Sequence, residues 1–426
     1  MPWLVALLLF ALCSLGPAAA WAEDEGEGEA EGAEPSGRSG KPKKVRRPGA
    51  PVFGLLPAIG FNQDDGIGLG VFGNVRWPAF DGEARRYRHD FGLNVKAWLK
   101  PGQIGWTGLF GFSWFPDPDG ATEITFALTT WGRSWDWWFG VGQDTVRHRL
   151  LDPRDAPVRD WYHRFGHFRV RGDVHAFRSI AGPLDGLAGL AVMWNHTLVR
   201  EGSLLHAQRH RLDGVDGGVT FSLDGGFRVD TRNDRVDPTR GGFFLALGQL
   251  SLGPERPWGR MLLDLRGWQG VADDWLVFGG ELLLLGGVGP IPFYELGVLP
   301  GWELLERTAV GQYGLRGLDR GRLRGPLAAL AHGEVRLRPP GFNLIPTFRV
   351  RFEPVLWADA VRVDSPPDLG GGWAVQPGFG GGFRIFWNEV SVSRFDIGTG
   401  PERIIDGQGS RVRWTVAIIG TVGQSF

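Results

Sequence analysis

The sequence predicts a closed transmembrane β-barrel of about sixteen antiparallel strands. Three observations carry that fold class. From Pro51 onward much of the chain alternates apolar and polar residues, and a period of two marks strands with one greasy and one polar face. Many of these runs reach about 10 to 14 residues, longer than the five or six usual in soluble sheets and enough to cross a bilayer at a tilt. After the first segment no run of about 18 apolar residues occurs, so any crossing falls to strands, and only a closed sheet leaves no backbone edge unpaired in lipid.

Composition fits this once the averaging is undone. The chain has 68 Gly and 20 Trp among 426 residues, with 42% hydrophobic content and a mean hydropathy of −0.13. Taken alone, those averages would describe a soluble all-β protein, but a barrel with a polar lumen hides its lipid face by alternation. The net charge of −1 gives no global field to draw nucleic acid. The first 22 residues, with the apolar run Trp3–Phe10 and the Ala20-Trp21-Ala22 pattern, read as a secretory signal peptide. Cys13, the single cysteine, lies inside it, so the processed chain would have no disulfide and no cysteine–metal site. Residues 23–50 are acidic and then basic (Lys41, Lys43, Lys44, Arg46, Arg47). Neither half can bury apolar surface, which predicts a disordered tether, shorter than the roughly 50 residues of a small domain. The barrel would then occupy 51–426.

Along the barrel the alternation is explicit. Ile67, Leu69, Val71, Val75 and Trp77 fall on one face, against Gly68, Gly70, Phe72, Asn74 and Arg76 on the other. Phe91, Leu93, Val95, Ala97 and Leu99 alternate with Asp90, Gly92, Asn94, Lys96 and Trp98, and Phe168, Val170, Val174 and Ala176 with His167, Arg169, Arg171, Asp173 and His175. Sixteen segments follow: 53–61, 67–77, 87–99, 103–114, 121–145, 161–177, 187–198, 212–232, 241–252, 259–271, 275–287, 326–337, 344–363, 373–386, 390–397 and 411–426. An even number puts both ends on the periplasmic side, the short turns 272–274 and 388–389 with them, and the gap Pro290–Arg324 outside. Trp77, Trp135, Trp137, Trp138, Trp275, Trp373 and Trp387 lie near strand ends and suit an interfacial belt. The last strand carries Val412, Trp414, Val416, Ile418, Val422 and Phe426 on one face. Ending on an aromatic residue, it resembles the signal read by the barrel assembly machinery.

Several apparent motifs fail on context. Gly68-x-Gly70-x-x-Gly73 matches a dinucleotide fingerprint, which needs a strand before it and a helix after it; here Arg76-Trp77-Pro78 follows. His163 and His167 stand two strand repeats apart, about 13 Å, too far to share a metal, and no G-x-S-x-G elbow occurs. No catalytic group, cofactor or metal is expected. What remains is charge. Arg316 lies in the long gap, Asp359 on a late strand, and Glu334-Val335-Arg336 on the strand after the gap. A buried guanidinium needs a carboxylate matched to its planar fork. If the loop folds inward, Asp359 is the first candidate and Glu353 the second; separate hydration of each group is the competing reading.

Four stretches taken together resemble the BamA/TamA-type outer-membrane proteins of the bacterial surface antigen superfamily. Leu315-Arg316-Gly317-Leu318 is similar to that family's V-R-G-F/Y loop motif, with Leu at both flanking positions. Asp230-Thr231-Arg232 with Pro238-Thr239-Arg240-Gly241 resembles its D-x-R…P-x-x-G turn, Gly333-Glu334-Val335-Arg336 its E-x-R strand, and Trp137–Gly142 its F-G-x-G strand. The likeness spans 51–426 and departs from the family in having no recognisable polypeptide-transport-associated (POTRA) domain. It implies a sixteen-stranded outer-membrane barrel with its long external loop folded into the lumen and Arg316 anchored near Asp359, non-enzymatic, inserting or translocating polypeptides at a weak seam between 53–61 and 411–426. Gly54, Pro57 and Gly60 lie in the first of these, and proline is tolerated at an edge because it has no N–H to donate. The expected partners are outer-membrane lipid, the assembly machinery and other outer-membrane polypeptides. A passive pore or structural surface barrel is the alternative.

Overall fold

The computed structural model describes residues 52–422, apart from 63, 79–86, 118–119, 146, 149–160, 235–236, 300–306, 312, 346–347, 365–374, 388–390 and 407–408. Sixteen antiparallel strands close into a barrel. In order they are β1 Val52–Asn62, β2 Gly66–Pro78, β3 Tyr87–Lys100, β4 Gln103–Trp114, β5 Thr122–Trp137, β6 Arg164–Ala181, β7 Leu184–Leu198 and β8 Gly218–Asp230. There follow β9 Arg240–Leu252, β10 Trp258–Val271, β11 Leu276–Val288, β12 Leu327–Leu337, β13 Phe348–Asp364, β14 Gln376–Trp387, β15 Ser391–Asp406 and β16 Gly409–Val422. Two short pairings decorate this wall. Arg147–His148 lies parallel to Ile404–Ile405, and Phe342–Ile345 extends the base of β13.

The barrel is inside-out relative to a soluble sheet. Ile67, Leu69, Val71, Val170, Val174, Leu190 and Val192 are exposed, while Arg169, Arg171, Asp173 and His175 are buried between them. The period-two pattern therefore assigns faces correctly, but the exposed face is the apolar one, as a bilayer requires. Among the described residues no helix is long and apolar enough to cross a membrane. The long connections, 138–163, 199–217 and 289–326, all leave the strands at one end of the barrel. The turn 272–275, between β10 and β11, lies at the other.

Several sequence expectations need correction. The segment expected at 121–145 ends at Trp137. Phe139–Gly142 is a loop in which Gly140 and Gly142 have φ near +100°, so the glycines that looked like strand residues terminate the strand instead. The segment expected from 212 begins at Gly218, because Leu204–Gln208 forms a short helix, α1, capped by the Ser203 hydroxyl accepting the His206 N–H at 3.1 Å. The one expected to stop at 397 runs on to Asp406. Trp138 is no belt residue; it is fully buried against Phe165, Phe293 and Leu205 under the long loops. Trp373 and Phe426, the signal peptide and the linker lie outside the described residues, as does the side chain of Val422.

The lumen is filled rather than hollow through the half nearest the long loops. Leu245, Leu247, Leu262, Leu283, Leu285, Leu330, Val361 and Val363 point inward and pack on Leu299, Ala309, Val310, Leu315, Leu318 and Leu323 of the 289–326 loop. A barrel lumen that holds a hydrophobic core cannot be read from alternation alone, because both faces of β9–β13 are then apolar.

Candidate functional site: the lumenal loop and the seam

Glycines on β14 and β15 make room for the loop tip. Gly380 pairs with Gly398 across these strands, and a Cβ on either would strike the Trp357 indole, at 2.6 and 2.2 Å. The ring therefore lies against bare backbone. On its other side sits the Arg316 guanidinium, 4.1 Å from the ring centroid. Arg316 is fully buried and grips Asp359 with a fork, Nε to Oδ2 at 2.9 Å and Nη2 to Oδ1 at 2.7 Å. Its own backbone N–H donates to the same Oδ2 at 3.0 Å. Asp396 and Glu334 stand at 3.6 and 3.7 Å from Nη1, and His332 Nδ1 lies 2.9 Å from Asp359 Oδ1. The loop's cation is thus held by three acids from β12, β13 and β15. Burial works against the charge, but attraction and hydrogen bonding to Asp359, together with Asp396 and Glu334, raise the Arg316 pKa further above its ordinary value.

The neighbours in the motif serve this approach. Gly317 has φ +130° and lies against the Thr399–Gly400 backbone, where a Cβ would come within 2.7 Å of the Thr399 carbonyl. Only glycine meets both demands. Leu315 and Leu318 are buried on either side. Trp357, Asp396, His332 and the glycine pair carried no motif in the sequence; the run Gly378-x-Gly380-Gly381-Gly382 on one strand was the available signal.

Glu353 does not meet Arg316. It sits lower on β13 and accepts from Arg338 at 3.0 Å and Arg351 at 2.8 Å. Arg336 also belongs to that cluster, donating to Asp237 at 3.1 Å and to the Pro238 carbonyl at 2.6 Å. Glu353 shares the strand of Asp359, but six residues along a strand is about 20 Å; Arg336 stays at the edge of the Arg316 site, its Nε 3.6 Å from Glu334. The cluster instead ties Asp237 and Pro238, in the turn between β8 and β9, to Arg336, Arg338 and Arg351. In that turn Arg232 grips Asp230 through two bonds of 2.8 Å, and Gly241, with φ +95°, approaches the Thr231 carbonyl too closely for any side chain.

Asp173, His175 and Asp224 are the described residues whose side chains converge enough to suggest a metal. Arg171 already occupies Asp173 with three contacts of 2.6–3.0 Å, and Gln249 donates to Asp224 at 2.7 Å. With His175 on the other Asp224 oxygen at 2.9 Å, the carboxylate oxygens of the group are all engaged in an ion-pair and hydrogen-bond network. The His163 ring bonds the Trp138 carbonyl at 3.0 Å.

Closure is uneven around the wall. β1 pairs with β2 along its full length, Val52 to Asn62, and β16 with β15 from Gly409 to Val422. Between β1 and β16 the described residues contribute two pairs, Phe61 with Gly420 and Asn62 with Ile419. Behind them the Trp98 ring packs on Gly60 and Gly68, each of which would clash at 2.7–2.8 Å if it carried a Cβ. Trp414 and Val416 of β16 are exposed on the lipid face and Ile418 is half-buried.

No family model and no curated protein matches this sequence. Among solved structures the barrel is similar to BamA from Haemophilus ducreyi lacking POTRA domains 1–3, with a TM-score of 0.52 and 14% identity over 88% of this chain and 70% of that one. It is also similar to CdiB from Escherichia coli, with a TM-score of 0.52 and 10% identity over 86% of this chain. This chain spans 62% of that CdiB chain. At such identities the likeness is one of fold. It shows a closed β-barrel similar in fold to those of BamA and CdiB.

Proposed function

We propose that this outer-membrane barrel acts without catalysis in membrane biogenesis, receiving polypeptide segments at the seam between β1 and β16. The observation that carries the reading is the contrast in pairing: among the described residues, two pairs at the seam against continuous ladders on either side of it. An open ladder end is a template for another strand, and opening here breaks few backbone hydrogen bonds. The passive-pore alternative is weakened by the contents of the lumen, where the loop packs apolar residues against the wall. Arg316 and Asp359 serve as anchor residues for the loop, with Glu334 at their edge, and Trp414, Val416 and Ile418 belong to the strand read by the assembly machinery. Partners on this reading are outer-membrane lipid, that machinery and client outer-membrane polypeptides.

Comparative outer-membrane proteomics with and without the protein tests the role. Depletion is expected to lower the levels of other outer-membrane proteins. A change in small-solute permeability with an unaltered proteome would replace this reading with the pore.

A further inference from the structure

We propose that the tip of the lumenal loop is a clasp that holds the seam shut, binding the β1–β2 turn through Arg320 and β16 through Gly317 and Tyr313. The inference rests on the seam identified above but not on the assembly role assigned to it. On one side the Arg320 N–H donates to Asp64 Oδ2 at 2.9 Å, and its guanidinium holds both oxygens of Asp65, at 2.8 and 3.1 Å. Arg133 of β5 buttresses the same carboxylate at 2.9 Å. Asp65 in turn is tied to Asn62: its N–H donates to Asn62 Oδ1 at 2.6 Å, and Asn62 Nδ2 returns a bond of 3.3 Å. Asn62 is itself a member of the seam ladder, opposite Ile419. Arg320 therefore acts one residue removed from the backbone pairing that closes the barrel.

On the other side the Thr415 hydroxyl donates to the Gly317 carbonyl at 2.8 Å, and the hydroxyls of Tyr313 and Thr421 lie 3.4 Å apart. Leu318 packs on Gly400 of β15, and Arg322 Nε donates to Glu402 at 2.8 Å. One segment, 313–322, thus touches the first hairpin and the last two strands at once. The Arg320 and Arg322 bonds have an ionised partner, and such bonds are roughly twice as strong as neutral ones; the Gly317 and Tyr313 contacts to β16 are neutral, as are the two seam pairs among the described residues. The loop thus bridges the seam with contacts that add to those the described residues make across it.

The clasp also contains a strained acid. Burial, with Asp319 and Asp65 nearby, pushes Asp64 up to about 7 although Arg320 opposes it. Arg147 pairs with Asp319, Arg133 with Asp65, and the Lys100 ammonium reaches the Asp64 carbonyl at 3.4 Å. Above neutrality the ionised Asp64 faces two other carboxylates, so the clasp is tighter on the acid side.

Amide hydrogen exchange on the full chain folded in detergent tests this. Arg320→Ala is expected to speed exchange at 60–62 and 419–421 by at least about tenfold, with β6 and β7 unchanged. Asp64→Asn, which keeps an acceptor but removes the charge, is expected to slow exchange at the same amides relative to wild type at pH 8, and it decides the matter if the first variant does not fold. Unaltered seam amides in Arg320→Ala, or in Asp64→Asn at pH 8, would overturn the proposal. So would loss of protection spread evenly through 289–326, which is undocking of the whole loop. A negative proteome comparison would remove the assembly role and leave the clasp standing.

Discussion

Replacing Arg316 by Ala removes a cation that contacts Asp359, Glu334 and Asp396 together, leaving Arg384 beside the last two. Asp359 would keep His332 at 2.9 Å but lose two guanidinium bonds and face Glu334 and Asp396 across an emptied site. Breaking a buried ion pair by deleting one partner costs about 3–5 kcal/mol. The contact over Trp357 would add up to about 2 kcal/mol if separate, but both belong to one side chain and are not additive. The lower range is therefore the appropriate one. It applies to docking of the loop rather than to the barrel, whose ladders do not involve Arg316. Local opening of the loop should become easier by about two to three and a half orders of magnitude, at 1.36 kcal/mol per tenfold. The amides that report it are Ala309, donating to Gly297 at 2.9 Å, and Leu315, donating to Ala309 at 3.0 Å. Their exchange in the folded variant should accelerate by that factor while β6 and β7 stay protected. Arg316→Lys should fall between, since an ammonium keeps the charge but cannot span both carboxylate oxygens. Acceleration of less than tenfold in Arg316→Ala would show that the apolar packing of Leu315 and Leu318 docks the loop and that the ion pair does not.

Gly317→Ala should undock the loop tip as well, through the clash at 2.7 Å with the Thr399 backbone, giving new protease cleavage within 309–322. Leu190→Arg, at an exposed lipid-facing site in the middle of β7, should destabilise the barrel by about 2–4 kcal/mol, read as a lower urea midpoint for folding into bilayers. Asp64, with its pKa raised from 3.8 to about 7, binds more protons folded than unfolded between those values. Stability should therefore fall as pH rises across that window, and Asp64→Asn should flatten the profile measured by thermal unfolding in detergent. In planar bilayers the wild-type protein should conduct little and Arg316→Ala measurably more; an equally large wild-type conductance would contradict a filled lumen.

How much of this was legible beforehand follows from what alternation encodes. Runs such as 67–77 and 91–99 state which residues share a face and how long the strand is, and with lipid as solvent that fixes the barrel. Alternation is silent on the long connections. Phe139–Gly142 looked like strand because aromatic residues and glycines occur in both settings; the difference is the positive φ of Gly140 and Gly142, which sequence does not display. The pairing of Arg316 with Asp359 was one of two options, because strand position alone left Glu353 open. What separates them is height along β13: Asp359 lies opposite Gly378, where a missing side chain admits the loop, whereas Glu353 lies opposite Arg384 and near the turn between β8 and β9. Asp64 and Asp65 drew no notice at all. They look like any acidic hairpin turn until the loop, more than 250 residues later, is folded against them.

The same contrast argues for where this barrel keeps its stability. Fifteen basic side chains and thirteen acidic ones are buried among the described residues, a nearly balanced set. A wet conducting lumen leaves such groups to hydration, whereas here they are spent on one another and on the loop: Arg307 with Glu281, Glu295 with Arg260, Arg322 with Glu402. Each ties the loop to a different part of the wall. Removing a partner from such a pair is costly while the intact pair adds little beyond an apolar substitute, so the network specifies a position for the loop more than it deepens the fold. A loop positioned that firmly against β10, β11 and β15 can rest its tip on β1 and β16 without depending on them. The seam can then be thin, because its closure is held from inside by a segment that the rest of the barrel anchors.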